Sequence, residues 1–227
     1  MKTFDCKASG FTLVEMAIVL VIIGLLLGGM LMPLSAQMDQ RRVSETQKAL
    51  DEIKNALIGF AVMNGRLPCP TTTADPANAN YGVEDATCPI TAVNGYLPWK
   101  TLGVAEIDAW GITRTATASP WIGYWRYRVD PGFAVIFTLT TPTDSTLNLA
   151  VQDSSGTALT STTQRPLAII FSTGKNLTAD GANATAVAAT SSATYQSDTP
   201  TQTFDDIAVW LPAPTLFNRM VAAGKLP

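Results

Sequence analysis

Glu15 is the residue whose chemistry needs explaining. It stands near the start of an otherwise apolar run, FTLVEMAIVLVIIGLLLGGMLMPL over 11–34, just after Gly10, Phe11 and a short leader, MKTFDCKASG, that carries Lys2 and Lys7. A carboxylate taken into lipid costs roughly 2.5 kcal/mol or more, so it persists there only with a partner. Buried in that place, the charge would have to be paired. The alternative is a side chain near enough to the interface to snorkel to water.

Other chemistry is thin. The chain has no histidine, which removes Ser-His-Asp and Cys-His arrangements, imidazole acid/base work and His-containing zinc sites. Its three cysteines cannot make a four-cysteine site. No catalytic constellation of carboxylates, lysines or tyrosines stands out, and there is no phosphate-binding loop. The expectation is a chain that is not an enzyme and carries no cofactor. A net charge of −3 without any Lys/Arg run argues against a nucleic-acid partner. With 47% apolar and 15% charged residues, the composition suits a packed core rather than disorder.

Taken as a helix, 11–34 reaches about 36 Å, enough to cross a bilayer core of about 30 Å. Three readings compete. A cleaved secretory signal would have an apolar run of about 7–15 residues and a small-x-small site at its far end, and neither is present. A plain anchor explains the length but leaves Glu15 without a purpose. The third reading cuts ahead of the run, between Gly10 and Phe11, so that the mature chain begins FTLVE.

KASGFTLVEMAIVLVIIG resembles the class III signal of type IV prepilins and type II secretion pseudopilins: a short basic leader, Gly, then Phe or Met, four residues ending in Glu, and about twenty apolar residues. The resemblance covers roughly 7–34. It implies that a membrane-embedded prepilin peptidase removes residues 1–10 and methylates the new amine of Phe11. It also implies that Glu15 neutralises the Phe11 amine of a neighbouring subunit during assembly. The implied partners are other pilin subunits, the peptidase, an inner-membrane assembly platform and the inner membrane itself before assembly. Major pilins commonly carry a helix-kinking Pro one position earlier than Pro33; Gly28-Gly29 followed by Pro33 still predicts a locally weakened helix.

After Pro33, residues 35–65 continue as an amphipathic helix with Val43, Leu50, Ile53, Leu57, Ile58 and Ala61 on one stripe. Asn64-Gly65 is the stop signal and Pro68 prevents continuation. Residues 66–227 form a β-rich head, which the resemblance implies is periplasmic before assembly and on a periplasmic or cell-surface filament after it. With Cys6 in the leader, Cys69 and Cys88 read as one disulfide in a translocated domain, worth about 3 kcal/mol; free thiols or a thiol site are the alternative. Strand-like stretches run over 121–129, 133–140, 147–152, 167–172 and 207–211, with a hairpin turn at Asp130-Pro131-Gly132. The fold class is α+β, a long N-terminal helix whose membrane-spanning first half precedes a second half packed on an antiparallel sheet, as in pilins. Residues 174–203 read as an exposed loop and the final TLFNRMVAAGKLP as a closing helix.

The motifs RLPCP, GYLPW, DAWG, YRV and DDIAVWLP resemble heads of minor-pilin-like proteins. The function implied is a structural subunit of a type IV pilus or related pseudopilus; a ligand-binding minor pilin at a filament tip and a type II secretion pseudopilin are the alternatives. Trp99, Trp110, Trp121, Trp125 and Trp210 read as core, with a sugar or single-stranded DNA platform as the functional alternative. Asp205-Asp206 resembles the acidic loops through which some pseudopilins hold calcium, but two carboxylates fall short of six to eight oxygens, and a solvated turn or cap is the simpler reading. Asp108 orients a turn. Arg126 and Arg128 alternate on a strand and point to water or pair with acids.

Overall fold

The computed structural model describes residues 10–88, 95–138, 149–161, 163–188 and 192–226, and within the first helix the backbone alone of 27–34. The chain divides into two compact units, Met1–Arg41 and Arg42–Pro227.

Helix α1, Leu13–Asn64, begins in the first unit and ends in the second. In the first unit its described side chains over 13–26 are exposed, including Leu13, Val14, Ile18 and Leu25. Among the described residues no helix is long and apolar enough to cross a membrane. The span expected over 11–34 and the kink expected at Gly28, Gly29 and Pro33 include residues outside that description.

In the second unit the helical spacing does its work. Leu50, Ile53, Leu57 and Ala61 are buried in one stripe, with Val43 and Ile58 packed at its margins. Beyond α1 come a single helical turn, α2 (Trp99–Leu102), strands β1 (Arg126–Val129), β2 (Ala150–Gln152) and β3 (Pro166–Ser172), helix α3 (Gly181–Ala188), strands β4 (Thr194–Gln196) and β5 (Ile207–Pro212), and helix α4 (Ala213–Ala222). An antiparallel sheet of order β1-β3-β5 is the centre of the head; β2 and β4 make a separate parallel pair.

Strand β3 is buried at all seven residues because both faces of the sheet are covered. Ala168 and Ile170 join the cluster that holds the α1 stripe and Leu216 and Met220 of α4. Ile169 and Phe171 turn the other way and pack with Leu149, Val151, Ala186 and Tyr195. That explains why PLAIIFS reads as a continuous apolar run instead of alternating.

Three sequence readings change. The segment after β1 is not a second strand: Asp130 caps a 3₁₀ turn over Pro131–Phe133, its carboxylate accepting from the Gly132 N–H, and 134–138 is irregular. Propensity favoured a strand, but Phe133 and Phe137 are drawn into the helix-side cluster, and the segment's backbone bonds to Gly65 and Leu67, just past the end of α1, without forming a ladder. Residues 174–203 are not an open loop, because they contain α3 and β4 and the fully buried Asn183. Asn183 donates to the Gln196 carbonyl and accepts from its N–H, acting as a ladder partner for β4. Arg128 does not face water; it is 4% exposed and lies close enough to the Tyr195 phenol to hydrogen-bond it.

The tryptophans pack into structure: Trp99 and Trp125 are buried, and Trp110, Trp121 and Trp210 are half-buried against the core clusters. Trp121 is stacked on Tyr96 at 3.9 Å, the Arg114 guanidinium lies 4.2 Å from its ring centre, and Arg126 lies over Tyr96 at 4.4 Å. The four side chains form a column whose aromatic faces are already covered, leaving Trp121 no face for a base or sugar. Beside it, Tyr81, Tyr124 and Glu106 share hydrogen bonds of 2.6–3.0 Å. Gly82, at φ +76°, lies under the Trp99 indole where a Cβ would come within 2.3 Å, so only glycine fits.

Candidate functional site

The first candidate is the start of α1. Gly10 and Phe11 are outside the helix and exposed, Phe11 to 80%. Helical bonding begins with the Met16 N–H donating to the Thr12 carbonyl. Thr12 is the N-cap and Glu15 the third helical residue. The Thr12 N–H and hydroxyl donate to Glu15 Oε2 at 2.7 and 2.9 Å, and the Glu15 N–H donates to Thr12 Oγ1 at 3.2 Å. This reciprocal arrangement is a capping box. Sequence reasoning placed Glu15 but missed Thr12, although the pattern Thr-x-x-Glu before an apolar run was there to be read.

The second candidate lies in the head. Asp205 and Asp206 are brought together with Asp180, which precedes α3, and carboxylate oxygens of all three lie within 4.8 Å of one another. Asp206 is 1% exposed and does not lie in a solvated turn, while it and the half-buried Asp205 each accept a backbone N–H, the capping half of that reading. Asp206 Oδ2 accepts from the Asp180 N–H and from Asn183 Nδ2, each at 2.9 Å. Asp205 Oδ2 accepts from the Asn176 N–H, and the Asp205 N–H donates to Asp180 Oδ2. Asn176 Nδ2 also donates to the Asp180 carboxylate. Leu177, at φ +65°, turns the loop so that it wraps the cluster.

Asp205 Oδ1 and Asp206 Oδ1 are buried with no hydrogen-bond partner. Burial, followed by the nearby Asp180 and Asp205 charges, pushes the Asp206 carboxyl up to about 7, and burial with Asp180 raises Asp205 as well. Three carboxylates with two unused buried oxygens can share protons or hold a hard cation. Asp180 escaped the sequence reading because it is remote in the chain from Asp205 and sat in a stretch read as loop.

The disulfide between Cys69 and Cys88 is present. Glu84 lies inside the loop it closes, accepting a bidentate pair from Arg66 at 2.8 and 2.9 Å and the Cys69 N–H at 3.0 Å. Burial works to raise Glu84, but these bonds hold its carboxyl below the ordinary value.

Asp130 offers a clean pH test. Burial raises its carboxyl to about 6, against the Gly132 N–H and the Arg165 charge. The folded state thus binds this proton more tightly than the unfolded chain, so its contribution to stability is greatest below about pH 4 and is lost as pH rises through about 6. Asp130→Asn keeps the acceptor for Gly132. The variant should gain on the parent by a few degrees in Tm between pH 4 and 7, measured by thermal denaturation; a pH-independent difference would contradict the burial argument.

Residues 6–31 match the family described as the prokaryotic N-terminal methylation motif, which is consistent with a type IV pilin-like protein. No curated protein and no solved structure matches the chain.

Proposed function

We propose that the chain is a non-catalytic structural subunit of a type IV pilus or related pseudopilus, matured by removal of residues 1–10 and methylation of Phe11, and assembled from the inner membrane by its N-terminal helix. The observation that carries the reading is the methylation motif at 6–31, laid on a helix whose described apolar side chains from Leu13 to Leu26 are exposed, with Glu15 the one charge among them. Such a surface needs lipid or neighbouring helices. Glu15 pairs with the freed amine of an adjacent subunit and sets register; the head supplies lateral contacts. The test is intact mass and N-terminal sequencing of membrane-extracted protein, with and without a prepilin peptidase in the host. A chain beginning at N-methyl-Phe11 only when the peptidase is present supports the pathway, and one still beginning at Met1, or cut after the apolar run, overturns it.

A second reading concerns the head. The two orphaned carboxylate oxygens favour a calcium ion held by Asp180, Asp205 and Asp206. With affinity in the range of extracellular modules, about 10 mM calcium should raise Tm by about 3–8 °C. Asp205→Asn should abolish the rise. An equal rise in parent and variant would exclude the site.

A further inference from the structure

We propose that a polar cleft beyond the C-terminal ends of β2 and β4 binds a neutral saccharide, with the Gln196 amide and the Asp198 carboxylate gripping its hydroxyls. The inference stands apart from the filament reading and needs no cation. The cleft has a volume of about 400 Å³, and Gly181, Gln196, Asp198, Thr201, Thr203 and Phe204 line it. Gln196 is its built part. It is 8% exposed, and three of its polar groups are committed: the backbone N–H and carbonyl to the Asn183 side chain, and Oε1 to the Ala182 N–H. Its Nε2 has no hydrogen-bond partner among the described residues, so two amide donors are held at the cleft with nothing to receive them. A buried donor is rarely left in that state unless a ligand or water takes it. Gly181, at φ +51°, makes room for the amide, because a Cβ there would collide with Gln196 Oε1.

The other groups select the ligand. Asp198 is exposed, and its two oxygens are fixed by the Thr199 N–H at 2.7 Å and the Ser154 N–H at 3.0 Å, each oxygen keeping a lone pair for a further donor. Thr201 and Thr203 add hydroxyls, and Phe204 adds an apolar surface. Among the described residues no lysine or arginine lines the cleft, and Asp198 is negative, so phosphates, sulfates and carboxylates are disfavoured. A peptide added as a strand would need free main-chain groups. Here the N–H groups of Gln196, Thr199, Thr201 and Phe204 are already spent inside the fold. What remains is an amide, a carboxylate and hydroxyls beside a small apolar surface, a set that suits neighbouring hydroxyls on a ring with one apolar face.

The test uses the full chain in a detergent without a sugar headgroup. Saturation-transfer NMR is run with glucose, galactose, mannose, fucose, N-acetylglucosamine and N-acetylgalactosamine, and with glucuronate and a capped trialanine peptide for comparison. At least one neutral sugar should receive saturation, with a Kd of about 1–10 mM, as expected of a ligand of about a dozen heavy atoms in an open cleft. Gln196→Glu keeps the acceptor for Ala182 but replaces both amide donors, and should weaken binding about tenfold or more at unchanged Tm. Asp198→Ala, at an exposed position, should weaken it to a similar degree, and it decides the matter alone if Gln196→Glu lowers Tm. No transfer to any neutral sugar at about 50 mM, affinity for glucuronate or the peptide instead, or binding that survives both folded variants would each overturn the proposal. None of these outcomes depends on processing at Phe11, so the saccharide site and the filament reading fail separately.

Discussion

Asp108→Ala should lower the unfolding free energy of the head by about 3 kcal/mol, because it removes one buried carboxylate that holds two separate segments. Asp108 Oδ1 accepts from the Trp110 N–H at 2.9 Å and Oδ2 from the Ser172 hydroxyl at 2.5 Å. Ser172 in turn accepts from the Gly174 N–H, so the contact ties the AWG turn to the end of the central strand and to the loop that follows it. Truncation leaves a hydroxyl and an amide without partners in a dry place, at about 1–3 kcal/mol each, with partial relaxation. Asp108→Asn preserves an acceptor and nearly the same shape. It should cost about 1 kcal/mol or less, the more so because burial already raises the Asp108 carboxyl and weakens its preference for the charged form. Urea unfolding followed by tryptophan fluorescence measures both. An alanine variant as stable as the asparagine variant would show that the tether is dispensable.

Removing the disulfide as Cys69→Ser/Cys88→Ser should cost about 3 kcal/mol, the loop-closure value for a bridge that spans 19 residues of chain. The same loop is held a second time by Glu84, which binds Arg66 and the Cys69 N–H. The two constraints therefore act on one segment and should not add. Glu84→Gln, which keeps an acceptor but loses the ion pair, should cost about 1 kcal/mol in the disulfide-bonded parent. In the serine background it should cost more, since nothing else then closes the loop. A double variant whose loss equals the sum of the two single losses would mean that Glu84 and the disulfide support different parts of the head.

The periodic parts of the fold were legible in advance for a simple reason: α1 and its buried stripe, β3, β5 and α4 each carry enough local signal to be recognised without knowing their partners. Leu50, Ile53, Leu57 and Ala61 recur at helical spacing, and PLAIIFS is a run of apolar and β-branched residues. The segment after β1 was misread because FAVIF has the composition of a strand, while what it does depends on whether a ladder partner lies beside it. The Ala/Thr/Ser-rich stretch was misread for the opposite reason. Its helix is short and weakly amphipathic, and it is held by Asn183 reaching across to Gln196 and Asp206.

The same division runs through the functional residues. The sequence by itself determined the N-terminal methylation motif: it is set by order and spacing within residues 6–31, and a motif read along the chain needs no fold to be recognised. It also contained the Thr12–Glu15 box, which is local. Only the tertiary structure decided that Asp180 joins Asp205 and Asp206, that Arg126 and Arg114 close the faces of Tyr96 and Trp121, and that Asp108 meets Ser172. Those meetings are made by chain segments far apart in sequence, and the burial that gives them their energy exists only after the sheet has formed and both of its faces are covered.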